Sequence, residues 1–176
     1  NKLVNLIWDA GIDGTYQVVA YNIYRSTSGT IEDVQKVNDA PVSELQYADT
    51  NVVNGTTYYY YVQSLDNNYP TGYSGLSNPV TFIPFERLSA PVFTTLQASD
   101  RSICINWEHP ASGTYDVSYY NVYRKINGDS QVLYTTTTDT NFCEYGLTNG
   151  EEYYYTVQAV DVMGNTGFVS EEVQLI

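Results

Sequence analysis

Asn54-Gly55-Thr56-Thr57-Tyr58-Tyr59-Tyr60-Tyr61-Val62-Gln63 returns later in the chain as Asn149-Gly150-Glu151-Glu152-Tyr153-Tyr154-Tyr155-Thr156-Val157-Gln158, an offset of 95 residues. Each copy opens on a turn dipeptide and runs into alternating apolar positions. Tyr58, Tyr60 and Val62 share one parity, as do Tyr153, Tyr155, Val157 and Ala159. A period of two belongs to a strand with one buried face, and Asn-Gly is the turn chemistry that starts such a strand. Further out, Tyr21-Asn22-Ile23-Tyr24-Arg25 matches Tyr120-Asn121-Val122-Tyr123-Arg124, and Trp8 matches Trp107, both at an offset of 99. Solenoid units run to about 20–50 residues, so a repeat of this length describes two whole domains. The expected boundaries are 1–84 and 85–176, with the join at Pro84-Phe85-Glu86-Arg87-Leu88-Ser89-Ala90-Pro91 held short and stiff by its two prolines.

The alternation extends to the early strands. Val4, Leu6 and Trp8 fall on one face, and their counterparts Ile103, Ile105 and Trp107 do the same. Ser28-Gly29, Asn127-Gly128-Asp129 and Gly164-Asn165 punctuate the remaining strands. No segment carries a helical period with caps. Composition agrees: 43% hydrophobic residues can build a core, and 19 Tyr against 5 Phe favour strands. The expected class is all-β.

In each copy a Trp on an early strand is followed 13 residues later by a Tyr-x-Ile/Val strand, and then by an Asn-Gly-x-x-Tyr turn into a Tyr-x-Tyr-x-Val strand. Together these resemble the fibronectin type III fold, an immunoglobulin-like β-sandwich, with Trp8 and Trp107 on its second strand and in its core. The resemblance implies that Tyr58 and Tyr153 are tyrosine corners, whose hydroxyls bond to nearby backbone. It covers nearly the whole chain, twice. The style is similar to modules of secreted bacterial multidomain proteins, including polysaccharide-degrading enzymes, and that likeness implies a non-catalytic spacer.

One strand departs from the pattern. Val92-Phe93-Thr94-Thr95-Leu96-Gln97-Ala98 is the expected strand A of the second domain. The first domain has only seven residues ahead of Trp8, and those already belong to strand B. The first domain is therefore expected to lack strand A, leaving an unpaired edge. Two explanations stay open. The chain is a fragment, with no leader pattern before the strand that Asn1 enters, or another chain donates a strand along residues 2–8.

Within the resembled fold, Cys104 and Cys143 lie on neighbouring strands B and E, both facing outward, and are expected to form a disulfide; two free thiols are the alternative. A bridge implies an oxidising compartment. The first domain has Asn5 and Ala48 at the matching places and is expected to be the less stable. Tyr24, Tyr59, Tyr61, Tyr123 and Tyr154 take the outward parity on adjacent strands C and F. They form either a recognition platform or cross-strand pairs that only stabilise the sheet. Arg25 and Arg124 are expected to pair with a carboxylate or a carbonyl.

Asp9-Ala10-Gly11-Ile12-Asp13-Gly14 and Asp66-Asn67-Asn68 lack the ligand spacing of a calcium loop and read as turns; no metal or cofactor is expected. His109 is the sole histidine, and no nucleophile elbow or phosphate loop is present. The net charge is −13, with 8 acids and 3 bases in residues 1–84 and 12 acids and 4 bases beyond. That balance disfavours nucleic acid and anionic membranes, and no run approaches the roughly 20 apolar residues that span a bilayer. The expected function is a non-catalytic spacer or binding module of a secreted or cell-surface protein, with protein or glycan as partner. The alternatives are a fibre subunit assembled by strand donation and an accessory segment of an extracellular polysaccharide-degrading enzyme.

Overall fold

A computed structural model describes residues 2–176. The chain divides into two compact units, Asn1–Phe85 and Glu86–Ile176, one residue beyond the expected boundary. Unit 1 contains β1 (Val4–Ile7), β2 (Val18–Ser26), β3 (Gln35–Lys36), β4 (Gln46–Asp49), β5 (Tyr58–Asp66) and β6 (Val80–Phe82). β1 pairs with β4 in one sheet, and the order β3-β2-β5-β6 makes the other; every pairing is antiparallel. A 3-10 turn, Ile31–Asp33, interrupts the strands. β3 is two residues long, and side-chain chemistry extends it. Asn38 accepts from Ile23 N at 2.8 Å and donates to Tyr21 O at 3.3 Å, continuing the ladder along β2.

Unit 2 contains β7 (Val92–Ser99), β8 (Ser102–Glu108), β9 (Val117–Ile126), β10 (Val132–Thr137), β11 (Asn141–Tyr145), β12 (Tyr153–Asp161), β13 (Thr166–Val169) and β14 (Val173–Leu175). One sheet has the order β11-β8-β7; the other has β10-β9-β12-β13, with β14 also on β12. β8, β9, β11 and β12 repeat β1, β2, β4 and β5. β7 has no counterpart: among the described residues nothing pairs with the outer edge of β1.

The alternating side chains meet between the sheets of each unit. Val4, Ile23, Val52, Tyr58 and Tyr60 form the buried cluster of unit 1. Ile103, Ile105, Trp107, Tyr120, Val122, Tyr153, Tyr155 and Val157 lead that of unit 2. Trp107 is 3% exposed, opposite Phe93 of β7. Trp8, expected as core on the same footing, is only half-buried: it packs against its cluster, but among the described residues no strand covers its other side. Both tryptophans lie edge-on to a tyrosine, Trp8 to Tyr21 and Trp107 to Tyr120, with ring centroids 5.5 and 5.3 Å apart. Both corner tyrosines accept a backbone hydrogen bond from five residues upstream, Tyr58 from Val53 N at 2.9 Å and Tyr153 from Thr148 N at 3.1 Å.

Candidate binding surfaces

The outward tyrosines do not make one open face. On unit 1, β2 and β5 place Tyr24 opposite Tyr61 and Ser26 opposite Tyr59. The loop after β2 then folds back over them. Asp33 gathers it, accepting from the Ser26 hydroxyl at 2.5 Å, the Ser28 hydroxyl at 2.7 Å and Ser28 N at 3.2 Å. These bonds favour the ionised carboxylate and hold Asp33 below its ordinary pKa. Gly29 sits on the Tyr59 ring with φ +76°, and a Cβ there would lie 3.0 Å from ring carbons, so glycine is required on both counts. Tyr61, expected to be exposed, is 5% exposed and donates to Gly29 O at 3.3 Å. Its parity is outward, and its own loop covers it.

Tyr24 and Tyr59 are half-buried, as are Tyr123 and Tyr154 on unit 2. Tyr24 and Tyr123 donate to Gln63 and Gln158, each at 3.0 Å, a repeated cross-strand bond. Tyr154 lies under Lys125, whose Nζ is 4.5 Å from the ring centroid, and donates to Glu152 at 2.7 Å. That hydrogen bond is the main cause of its raised pKa.

Beneath each aromatic face lies a duplicated polar network that sequence reading identified only from its arginine. Arg25 is bonded to Asp49 at 2.6 Å and to Asn51 O at 2.6 Å, and Tyr60 donates to the same Asp49 carboxylate at 2.9 Å. In unit 2, Arg124 pairs with Glu144, and Tyr155 donates to the other oxygen of that carboxylate at 2.7 Å. Burial opposes the Arg25 charge, but Asp49 outweighs it and raises the guanidinium pKa. Burial first, then the carboxylate bond, pushes the Tyr60 and Tyr155 phenols far above their ordinary range. Asp49 and Glu144 are separated by the same 95 residues as the two tyrosine strands, and that repeat was the available signal for them.

The second surface is the open edge of unit 1. Beside β1 lies a cleft of about 290 Å³, lined chiefly by Leu6, Trp8, Tyr60, Val62, Leu76 and Val80. Val62 is half-buried where its counterpart Val157 has no exposure. Ile7, at the end of β1, is 82% exposed.

Cys104 and Cys143 stand directly opposite on β8 and β11, joined by a bond of 2.05 Å. Asn5 and Ala48 stand opposite in the same way on β1 and β4. Asp13 accepts from Val18 N at 2.8 Å and Asp66 from Asn68 N at 2.8 Å, so each holds a turn. His109 Nδ1 lies 2.8 Å from the Tyr120 hydroxyl. Among the described residues, no three His, Cys, Asp or Glu side chains come together as metal ligands.

Two antiparallel sheets packed face to face in each unit, a corner Tyr in each core and a Trp set edge-on against a Tyr define a β-sandwich module. The sequence profile of the fibronectin type III domain matches residues 89–176, half of the chain. The chain belongs to the fibronectin type III family. It is similar to neogenin of Rattus norvegicus, 28% identical over 167 residues, covering 92% of this chain and 12% of that protein. It is also similar to exoglucanase B of Cellulomonas fimi, 27% identical over 180 residues, covering 95% of this chain and 15% of that protein. An amylopullulanase of Thermoanaerobacterium saccharolyticum is 37% identical over 81 residues, 46% of this chain and 6% of that protein. The chain thus spans a small fraction of each relative's length.

Proposed function

We propose that this chain is a non-catalytic spacer or binding module of a secreted or cell-surface protein. The observation that carries the reading is the internal closure of the buried carboxylates. Asp49 and Glu144 are each held by an arginine and a tyrosine, and Asp161 accepts from Met163 N and Asn165 N at 2.9 and 2.8 Å. Groups engaged in this way hold strands together and do not face a substrate, whereas glycoside hydrolysis needs two carboxyls flanking a cleft. The Cys104–Cys143 bond supports an oxidising location. Exoglucanase B and the amylopullulanases, as glycan-active proteins containing a stretch similar to this one, support a second reading, an accessory segment beside a catalytic domain.

The test is incubation of the chain with cellulose and starch, scoring soluble sugar release and loss of chain from the supernatant. No release is expected, and depletion would favour the accessory reading over a plain spacer. Sugar release that scales with chain concentration would overturn the non-catalytic reading.

A further inference from the structure

Three Asn-Gly dipeptides sit in turns of this chain: Asn54-Gly55, Asn127-Gly128 and Asn149-Gly150. Such a pair can react with itself. The glycine amide nitrogen attacks Cγ of the asparagine side chain, and glycine has no Cβ to shield that nitrogen. The five-membered ring that results holds Cα, Cβ, Cγ and the carbonyl carbon of the asparagine together with the glycine nitrogen. It closes only when rotation about Cα–C brings the glycine nitrogen to the side of Cβ. For an L residue that means ψ near about −120°, the value at the first central position of a type II′ turn. Turn type therefore decides which of the three pairs reacts.

The three turns differ. Gly55 and Gly150 have φ +82° and +87°, whereas the asparagines before them have negative φ. Thr56 N bonds to Val53 O at 3.3 Å and Glu151 N to Thr148 O at 3.4 Å, closing both turns. A positive φ at the second central position alone is type II, with ψ of about +120° at the asparagine, so the glycine nitrogen points away from Cβ. Gly55 N is also tied to Pro84 O at 2.8 Å. The Asn149 amide is held at both ends, accepting from Arg101 N and donating to Asp100, each at 2.9 Å.

Asn127 sits in the mirror-image turn. Its own φ is +50°, that of Gly128 is negative, and Asp129 N bonds to Ile126 O at 3.0 Å. A positive φ at the first central position alone is type II′. Asn127 and Gly128 are exposed, and among the described residues neither Gly128 N nor Asn127 Nδ2 has a hydrogen-bond partner. A Cβ at Gly128 would meet nothing within 4 Å, so the turn has room to close the ring. Glu152 N donates to Asn127 Oδ1 at 3.3 Å. That places a donor on the oxygen that gains negative charge during the attack.

We propose that Asn127 is a self-modification site, converted through a cyclic imide to aspartate and isoaspartate while Asn54 and Asn149 stay intact. In the first step the bond from Gly128 N to Cγ forms and the bond from Cγ to Nδ2 breaks. The glycine amide proton leaves with Nδ2 as ammonia. Water then opens the ring: addition at Cγ gives aspartate, and addition at the main-chain carbonyl gives isoaspartate. Either product adds a carboxylate between Asp129 and Glu152. Isoaspartate also adds one atom to the main chain where Asn127 N bonds to Glu152 O at 2.8 Å, which loosens the corner between β9 and β10. The inference stands apart from the reading of the chain as a spacer or binding module.

The experiment incubates the intact chain in mildly alkaline buffer and follows each asparagine by peptide mass spectrometry, with electron-transfer fragmentation to separate isoaspartate from aspartate. Acid is expected at position 127 about tenfold or more faster than at 54 or 149, a tenfold ratio being about 1.4 kcal/mol in barrier. In denaturant the three rates are expected to converge, because no turn is then held. Gly128→Ala places its methyl in open space at a φ that alanine adopts; it is expected to keep the melting temperature and to slow the reaction at 127 about tenfold. Equal rates at the three sites of the folded chain overturn the proposal. So does a preference for 127 that persists unchanged in denaturant, or a Gly128→Ala chain that reacts as fast as the parent.

Discussion

Trp107 and Trp8 hold the same place in the two units, yet one is 3% exposed and the other borders an open cleft. The comparison shows how much of a small sandwich depends on an edge strand. β7 contributes no fully buried side chain of its own: Phe93 is half-buried and the rest are exposed. β7 and the preceding Leu88, which lies in the same buried cluster as Trp107, Ile105 and Val157, have no counterpart in unit 1: those three residues are sealed, while Trp8, Leu6 and Val62 are only partly covered. The disulfide adds to the contrast, because it joins β8 to β11 where unit 1 has Asn5 and Ala48.

The largest expected effect comes from truncating the two tryptophans. Trp107→Ala should cost unit 2 about 3–5 kcal/mol, the range for a fully buried aromatic. Trp8→Ala should cost unit 1 only about 1–2 kcal/mol, because part of its surface is already outside the core. Denaturant unfolding of each variant measures the difference, and equal costs would break the comparison. Next comes the bridge. Reduction, or Cys104→Ala with Cys143→Ala, should lower unit 2 by about 2–4 kcal/mol and leave unit 1 untouched. Calorimetry with and without reductant should show the upper of two transitions move down towards a stationary lower one.

The smallest expected difference is in alkaline stability. Tyr60 and Tyr155 have folded-state pKa values raised above the ordinary 10.0, mainly by burial and then by their carboxylate bonds. A raised value means that the folded state keeps its proton while the unfolded phenol ionises. The associated stability is present below about pH 10 and is lost as pH climbs beyond it. Both transitions should therefore fall together, and each of Tyr60→Phe and Tyr155→Phe should flatten the decline in its own unit alone.

The fold was legible because every deciding feature occurs twice. The tyrosine strands, the tryptophans and the Tyr-x-Ile/Val strands locate β1, β2, β5 and their partners, and counting residues ahead of Trp8 exposes the unpaired edge. The surface was less legible. Parity says which side of a sheet Tyr61 takes, but not that the Ser26–Asp33 loop closes over it. That closure depends on serine hydroxyls converging on one aspartate, an arrangement without a period. The arginine networks were half visible: Arg25 and Arg124 stand out, whereas Asp49 and Glu144 differ in residue type and come into line only at the shorter offset.

The covalent link between β8 and β11 also sets how far unit 2 can be drawn out under tension. A pull applied at its two ends bypasses the 39-residue span between the cysteines, roughly 130 Å of contour at about 3.4 Å per residue. Unit 1 has no such stop and would yield its whole length. A tether carrying both units would lengthen unequally, with a reserve in the second that becomes available only when its sulfur bridge is reduced.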